Sequence, residues 1–142
     1  MPLELLPAEP SDLPRIVRIE IDSFADSPMT PILFPQGQPQ ESQDSYVESL
    51  LQEWDTNTAG RMMKVVDTDL GDKIISFARW YIYVGDDVKH IKTSPEDRHL
   101  VLGSNATAAD EFFGGLLRLR YQRMGRNPHC CKWCPISKLP ID

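Results

Sequence analysis

The three cysteines of the sequence lie within five positions, at Cys130, Cys131 and Cys134. The last two have the C-x-x-C spacing of zinc knuckles and of thiol oxidoreductases. A zinc ion needs four converging ligands, and the sequence has no second pair of cysteines or histidines at knuckle spacing. A redox motif sits at a helix N-terminus, whereas Pro135 follows the last cysteine and no helix is predicted after it. We therefore predict no metal site and do not favour redox catalysis.

Acidic, imidazole and aromatic residues elsewhere in the chain are the candidates for lining a substrate pocket: Trp80, Tyr81, Tyr83, Asp110, Glu111 and His129. A carboxylate in an apolar cleft can act as a general acid or base, but Asp110 and Glu111 also suit the first turn of a helix. His129 is either a base or an ordinary strand residue. The three aromatic residues either line a pocket or supply core packing and one solvent-facing ring. No catalytic residue is assigned, and no residue is predicted to bind a cofactor.

The hydrophobic pattern predicts an α+β fold. The predicted elements are a strand at residues 3–6, a helix capped by Ser11, a proline-rich loop at 25–40 without regular structure, a helix within 42–57, a β-hairpin within 61–83 turning at 68–72, a helix at 107–124 and a fourth strand beginning at 128. Thr107 and Asp110 resemble a capping box at the start of the last helix. Because that helix is apolar over more than half its circumference, we expect it to be buried on two sides.

The length and the net charge of the chain exclude several classes of protein. A chain of 142 residues fits one domain with an ordinary core. A net charge of -6 leaves no basic excess to neutralise phosphates, so neither nucleic acid nor a membrane surface is a predicted partner. No apolar run approaches the roughly 20 residues that span a bilayer, and the first residues lack the cationic start of a secretory signal. The sequence therefore predicts a cytoplasmic protein.

Four stretches together resemble the N-terminal part of a fungal-type GNAT N-acetyltransferase. They are "ELLPAEPSDLPRIVRIEIDSF" (strand then helix), "PMTPILFP" (the aromatic and proline loop), "MMKVVDTDLGDKIISFARW" (second and third strands) and "ADEFFGGLLRLRYQRMGRNPH" (a helix leading into the fourth strand). The resemblance covers residues 3 to 130. It implies a truncated GNAT-like mixed sheet, a small-molecule amine or a protein as partner, and acetyl-CoA as cofactor.

The sequence departs from the family at its end. In the family, a turn of the type Gln/Arg-x-x-Gly-x-Gly/Ala follows the fourth strand, and its backbone N–H groups cradle the pyrophosphate of acetyl-CoA. No such turn occurs here, and residues 130–142 depart from the pattern. We therefore expect residues 1–142 to form a single GNAT-like domain, incomplete at its C-terminus, that is a degenerate or partial N-acyltransferase. The alternative is a non-catalytic small-molecule or protein-binding module, or a half fold recruited to different chemistry. The exposed edge of the fourth strand would favour a homo-oligomer.

Overall fold

A four-stranded sheet forms the centre of the molecule. The computed structural model describes residues 2–93 and 100–133. Its strands are β1 (Leu3–Pro7), β2 (Gly60–Asp67), β3 (Lys73–Tyr83) and β4 (His129–Trp133). They lie side by side in chain order, and each pairing is antiparallel. A β-bulge between Val65 and Val66 changes the register of β2 against β3.

The helices of the described residues connect the strands. They are α1 (Leu13–Ser23), α2 (Thr30–Leu33), α3 (Gln40–Thr56), α4 (Ala106–Ala109) and α5 (Gly115–Met124), with a single π turn (Asp110–Gly114) joining the last two. Short 3-10 turns occupy Pro10–Asp12, Thr68–Leu70 and Gly85–His90. The predicted α+β class and the predicted order of strand, helices, hairpin, helix and fourth strand are confirmed.

The core lies between one face of the sheet and the first helices. Ile16 and Ile19 of α1 pack on Val66 of β2 and on Phe77 of β3, which is only 2% exposed. A second apolar cluster joins α1 to α3, and Leu50 is its member from α3. The opposite face of the sheet is more open, and Leu5 on that face is 64% exposed. Functional side chains held on the helix-covered face are therefore shielded from water, which strengthens their electrostatic interactions.

The β-hairpin follows the sequence prediction closely. Its turn begins at Asp67, whose buried carboxylate accepts a hydrogen bond from the backbone N–H of Asp69 at 3.0 Å. It ends at Gly71 and Asp72, which have φ angles of 66° and 60°. Glycine tolerates this left-handed conformation because it has no Cβ atom, and aspartate tolerates it better than most residues. The Asp- and Gly-containing turn therefore fixes the pairing of β2 with β3.

Two predicted helix caps are wrong. Ser11 lies inside a 3-10 turn, and the N-cap of α1 is Asp12. The N-cap of α4 is Asn105, whose side chain accepts a hydrogen bond from the N–H of Ala108 at 3.2 Å, so Thr107 is already helical. The proline-rich loop also contains one helical turn, α2. Pro31 permits it because a proline in the first turn loses no intrahelical hydrogen bond.

The expectation that the last helix is buried on two sides is also wrong. Several of its large apolar side chains are exposed, and Leu116 is 55% exposed. The π turn at Asp110–Gly114 is wider than an α turn, so it changes which side chains of the following α5 face the sheet. A regular 3.6-residue period cannot predict such a change. The apolar composition of this helix also overstates its burial, since Leu116 and Leu119 lie at the surface.

The fourth strand continues through the first two cysteines. Cys130 is exposed and Cys131 is half-buried, as alternation along a strand requires. Cys134 lies outside the described residues. In the part of the chain that the structure describes, no group of histidine, cysteine and carboxylate side chains could hold a metal ion. Within the same part, no helix is long and apolar enough to cross a membrane.

Candidate functional site

Polar side chains occupy one end of the helix-covered face of β3. Phe77, Arg79, Tyr81 and Tyr83 alternate along the strand and therefore share this face. Phe77 and Tyr83 are buried, so the register also directs Arg79 and Tyr81 toward α1 and α3. A charged arginine thus lies among residues that pack the core.

Arg79 belongs to a buried charge network with Glu20 and Tyr46. The hydroxyl of Tyr46, on α3, donates a hydrogen bond to Oε1 of Glu20, on α1, at 3.0 Å. The guanidinium of Arg79 lies 3.5 Å from the same hydroxyl oxygen. Oε2 of Glu20 and Nε of Arg79 are buried without a hydrogen-bond partner. The phenol therefore links two opposite charges that are incompletely satisfied, and removing Arg79 alone should be costly because it leaves the Glu20 carboxylate uncompensated.

Burial controls the protonation of this network. It raises the pKa of Glu20, while the positive charge of Arg79 and the hydrogen bond from Tyr46 act in the opposite direction. Burial also raises the pKa of Tyr46, and the nearby Glu20 raises it further. Burial alone would lower the pKa of Arg79, but Tyr46 and its other neighbours shift the pKa of Arg79 upward overall. Arg79 therefore stays charged, and Tyr46 stays a hydrogen-bond donor at neutral pH.

The raised pKa of Glu20 predicts a pH-dependent stability. The folded state holds the Glu20 proton more tightly than the unfolded state, whose pKa is near 4.5. The contribution of this group is therefore fully present below pH 4.5 and is lost as the pH rises through the folded pKa. We expect wild type to lose stability relative to Glu20→Gln between pH 4.5 and neutral pH, measured by urea unfolding at several pH values. A stability difference that is constant, or that moves in favour of wild type with rising pH, would contradict this assignment.

Glu53 of α3 lies at the meeting point of several polar groups. Its Oε2 accepts a hydrogen bond from the hydroxyl of Tyr81 at 3.0 Å, and its Oε1 accepts one from Nδ2 of Asn57 at 3.1 Å. Nζ of Lys92 lies 3.7 Å from Oε1. Burial and the neighbouring Glu53 raise the pKa of Tyr81, although Arg79 opposes them. Tyr81 is therefore a protonated donor that fixes the orientation of the Glu53 carboxylate.

Two cavities flank the Glu53–Tyr81 pair, and both are lined by it. The larger cavity, of about 250 Å³, lies between the C-terminal half of α3 and the strands β2 and β3. Its other lining residues are Ala8, Leu50, Trp54, Asn57, Gly60, Arg61, Met62 and Arg79. The smaller cavity, of about 150 Å³, is bounded also by Tyr83, Lys92, Phe113, Leu117 and Arg120. Drug-sized ligands occupy pockets of about 300–1,000 Å³. Both cavities are smaller than this range, so each has room only for a ligand smaller than a typical drug.

The structure brings together three of the six residues predicted from the sequence. The rings of Tyr81 and Tyr83 are stacked with centroids 6.1 Å apart, and the ring of His129 lies 5.0 Å from that of Tyr83. Burial is the main cause that raises the pKa of Tyr83, to about 12. Nδ1 of His129 donates to the backbone carbonyl oxygen of Asn127 at 2.7 Å, and its Nε2 is buried without a partner.

The other three predicted residues lie elsewhere. Trp80 points to the opposite face of the sheet, where Nζ of Lys132 is 5.6 Å from the centre of its indole ring. Asp110 lies 3.9 Å from Arg118, and both side chains are about half exposed. Glu111 is exposed. None of these three residues lines either cavity.

The sequence analysis missed Glu20, Tyr46, Glu53 and Arg79. One signal was present: Arg79 has the same strand parity as Phe77, so it had to face the core. Likewise, Glu53 lies three positions after the buried Leu50 and therefore on the same side of α3. A charged residue on a buried face is expensive unless it is paired, and it therefore indicates a functional or structural network.

The described residues do not fit the pyrophosphate of acetyl-CoA. A pyrophosphate cradle needs unoccupied backbone N–H groups at a helix N-terminus. The N-terminus of α4 is occupied by the side chain of its own cap, Asn105, and the first turns leading into α1 and α3 contain Asp12 and Glu41.

No protein-family model and no curated protein matches the sequence. Among solved structures, the C-terminal condensation domain of Ebony, in complex with beta-alanyl-dopamine, matches 99% of this chain and 62% of its own with a TM-score of 0.56 and 13% identity. A protein from Corynebacterium glutamicum described as histone acetyltransferase HPA2 and related acetyltransferase matches 56% of this chain and 43% of its own, with a TM-score of 0.41 and 28% identity.

These comparisons concern the fold. The predicted α+β arrangement of one strand, two main helices, a hairpin, a further helix and a fourth strand is confirmed by the structure, and the Ebony domain shares its overall fold. The chain spans less than two thirds of the length of either solved structure. Because the identity to the Ebony domain is low, the comparison says nothing about individual residues or substrates.

Proposed function

We propose that this chain forms the acceptor-binding part of a GNAT-like N-acyltransferase, and that the larger cavity binds a small amine beside Glu53. The observation that carries the proposal is the Glu53 carboxylate, which Tyr81 and Asn57 hold in the wall of a cavity that also contains the indole of Trp54. A fixed carboxylate in a partly apolar cavity is a suitable partner for an ammonium group. Of the two arginines in the same wall, Arg79 is linked through Tyr46 to the opposite charge of Glu20, and Arg61 donates to backbone carbonyl oxygens.

The same carboxylate has a chemical use in amine acylation. An amine is protonated at neutral pH and must lose a proton before its nitrogen can attack an acyl carbon. Glu53 can bind the ammonium form and then accept its proton, directly or through one water molecule. Tyr81 cannot replace it as the base, because the pKa of its hydroxyl is raised. The carboxylate therefore combines binding and proton transfer in one position.

The lining of the larger cavity favours an arylalkylamine. Trp54 and Tyr81 supply aromatic surface, and Leu50 and Met62 supply apolar surface. An aromatic ring on the ligand can stack on such side chains while its ammonium group reaches Glu53. The Ebony domain was solved with beta-alanyl-dopamine, but the choice of an arylalkylamine rests on the cavity itself.

A direct test compares an amine with its neutral analogue. We expect isothermal titration calorimetry to detect saturable one-to-one binding of phenethylamine to the chain. The alcohol 2-phenylethanol, which has the same ring and spacer without the charge, should bind at least about tenfold more weakly because it makes no charge-assisted hydrogen bond. Equal binding of the two compounds, or binding of neither, would overturn the proposal.

Lys92 competes with the ligand for Glu53. Its Nζ is beyond ordinary hydrogen-bond distance from Glu53, and its side chain is 39% exposed, so this ion pair is weak. We expect Lys92→Met to increase the affinity for phenethylamine about two- to fivefold, because a competing cation is removed. The exposed Lys89 provides a matched control, since Lys89→Met removes the same charge at a distance from both cavities. If both variants change the affinity equally, the effect arises from net charge and not from Glu53.

A second candidate function is amine binding without acyl transfer. The described helix N-termini carry their own cap or acidic side chains, which do not suit a pyrophosphate, and this observation favours a non-catalytic binding module. Titration with acetyl-CoA distinguishes the two candidates. Micromolar binding of acetyl-CoA to the isolated chain would contradict the binding-module alternative, whereas amine binding without cofactor binding would support it.

The homo-oligomer predicted from the edge of β4 stays a prediction. Beyond β4, no further strand pairs with this edge within the described residues. Light scattering coupled to size-exclusion chromatography tests it, and a mass equal to that of one chain at all concentrations would exclude self-association.

A further inference from the structure

We propose that the smaller cavity is a binding site for a carboxylate with a short apolar tail, and that Arg120 is its recognition residue. Arg120 belongs to α5, and its side chain enters the cavity that lies between this helix, β3 and Lys92. This site shares the Glu53–Tyr81 wall with the larger cavity, but its recognition residue, Arg120, does not line the larger cavity, so each proposal can be tested without the other.

The guanidinium of Arg120 is incompletely satisfied. One terminal nitrogen donates to the backbone carbonyl oxygen of Lys92 at 3.1 Å, and the other approaches the sulfur of Cys131 at 3.6 Å. Sulfur is a weak acceptor. The guanidinium also interacts with the hydroxyl of Tyr83, whereas its Nε is buried and has no hydrogen-bond partner. Arginine has five N–H donors in a planar fork that matches a carboxylate, so Nε and part of the fork are left for a ligand.

The positive charge of Arg120 also has no counter-ion among the described residues. No carboxylate in residues 2–93 and 100–133 forms an ion pair with it. Glu53 lines the same cavity, but the cation it pairs with is Lys92, and it forms no ion pair with Arg120. Among the described residues, two cations, Lys92 and Arg120, and one carboxylate, that of Glu53, line this cavity. The cavity wall therefore carries one excess positive charge, although the whole chain is acidic. A ligand carboxylate would neutralise that excess.

The apolar residues in the rest of the cavity wall determine which group the ligand carboxylate carries. Phe113 and Leu117, one helical turn apart, and the rings of Tyr81 and Tyr83 form apolar surface around the cationic group. The cavity volume is about 150 Å³, well below the range of about 300–1,000 Å³ for drug-sized ligands. Such a space accepts a carboxylate with a chain of a few carbon atoms. Inorganic phosphate is a poorer ligand because it has no apolar group to contact these walls.

The test uses butyrate, with 1-butanol and inorganic phosphate as comparison ligands at constant ionic strength. We expect butyrate to shift the ¹⁵N–¹H resonance of Arg120 Nε in NMR spectra, because an anion would become its neighbour. Arg120→Gln should weaken butyrate binding by about tenfold or more, as expected for the loss of a charge-assisted hydrogen bond. Arg118→Gln is the matched control, since Arg118 lies on the same helix, is 51% exposed and lines neither cavity.

Each outcome either supports or excludes the carboxylate site. Selective loss of butyrate binding in Arg120→Gln, with binding retained in Arg118→Gln and circular dichroism unchanged in both, would support it. Equal losses in the two variants, or an Arg120 Nε resonance that butyrate does not shift, would show that Arg120 does not bind the carboxylate and would overturn the proposal. Phosphate binding as tight as that of butyrate would overturn the assignment to a carboxylate, and equally tight binding of 1-butanol would overturn the role of charge. Phenethylamine binding in Arg120→Gln should equal that of wild type, so failure of this site leaves the amine proposal unaffected.

Discussion

Replacing Arg79 with methionine is expected to lower the free energy of unfolding by about 3–5 kcal/mol at neutral pH. Arg79 is the positive member of the buried network that also contains Glu20 and Tyr46. Methionine fills much of the same space without charge. The loss of unfolding free energy therefore comes mainly from the missing positive charge. Without Arg79, burial acts on Glu20 with no opposing positive charge, and the carboxylate must either stay ionised at high cost or take up a proton.

A double variant shows whether the cost arises from the pair. Glu20→Gln combined with Arg79→Met removes both charges, and the amide oxygen of glutamine can still accept the hydrogen bond from Tyr46. We expect the double variant to regain most of the stability that Arg79→Met loses, measured by urea unfolding. Arg118→Met, at a half-exposed position on α5, should change stability by less than about 0.5 kcal/mol. A loss below about 1 kcal/mol in Arg79→Met, or no recovery in the double variant, would show that the network is not a coupled ion pair.

Replacing Glu53 with glutamine is expected to weaken the binding of phenethylamine by about 10- to 100-fold. The substitution keeps the shape of the side chain and removes the negative charge that would pair with the ammonium group. Hydrogen bonds to charged groups contribute about 1.5–3 kcal/mol, and about 1.4 kcal/mol corresponds to a tenfold change in affinity. Calorimetric titration of wild type and variant measures this ratio.

The control for Glu53→Gln lies on the same helix. Glu48 is an exposed residue of α3, so Glu48→Gln changes the net charge by the same amount without touching either cavity. We expect its affinity for phenethylamine to equal that of wild type. If the two variants lose affinity together, the amine is held by the overall negative charge of the chain and not by Glu53.

Local sequence patterns predict those parts of the fold that local interactions determine. The hairpin follows from two β-rich segments and a turn whose Gly71 and Asp72 tolerate positive φ angles. The extent of the last helix is also predictable, but the π turn within it is not, because the intrahelical hydrogen bonds shift without a change in the apolar pattern. The exposure of Leu116 and Leu119 in α5 is likewise not indicated by the apolar composition of the helix.

The candidate site was harder to predict because its members come from distant parts of the chain. Tyr46 is separated by 26 positions from Glu20 and by 33 from Arg79, and no local pattern indicates which side chains will meet. Tyr81 was predicted as a pocket residue because it is aromatic, whereas its partner Glu53 looks like any polar residue of an amphipathic helix. Only the packing of α3 on β3 brings the two together.

The central claim is that the larger cavity, on the helix-covered face of the sheet, holds the ring of an amine whose nitrogen contacts Glu53. Isotope-filtered nuclear Overhauser spectroscopy of the chain saturated with phenethylamine tests the claim most directly. The predicted result is a set of contacts from the ligand ring to the side chains of Trp54 and Tyr81, both of which line this cavity. Contacts to Trp80 on the opposite face instead, or saturable binding without any contact to Trp54, would contradict it.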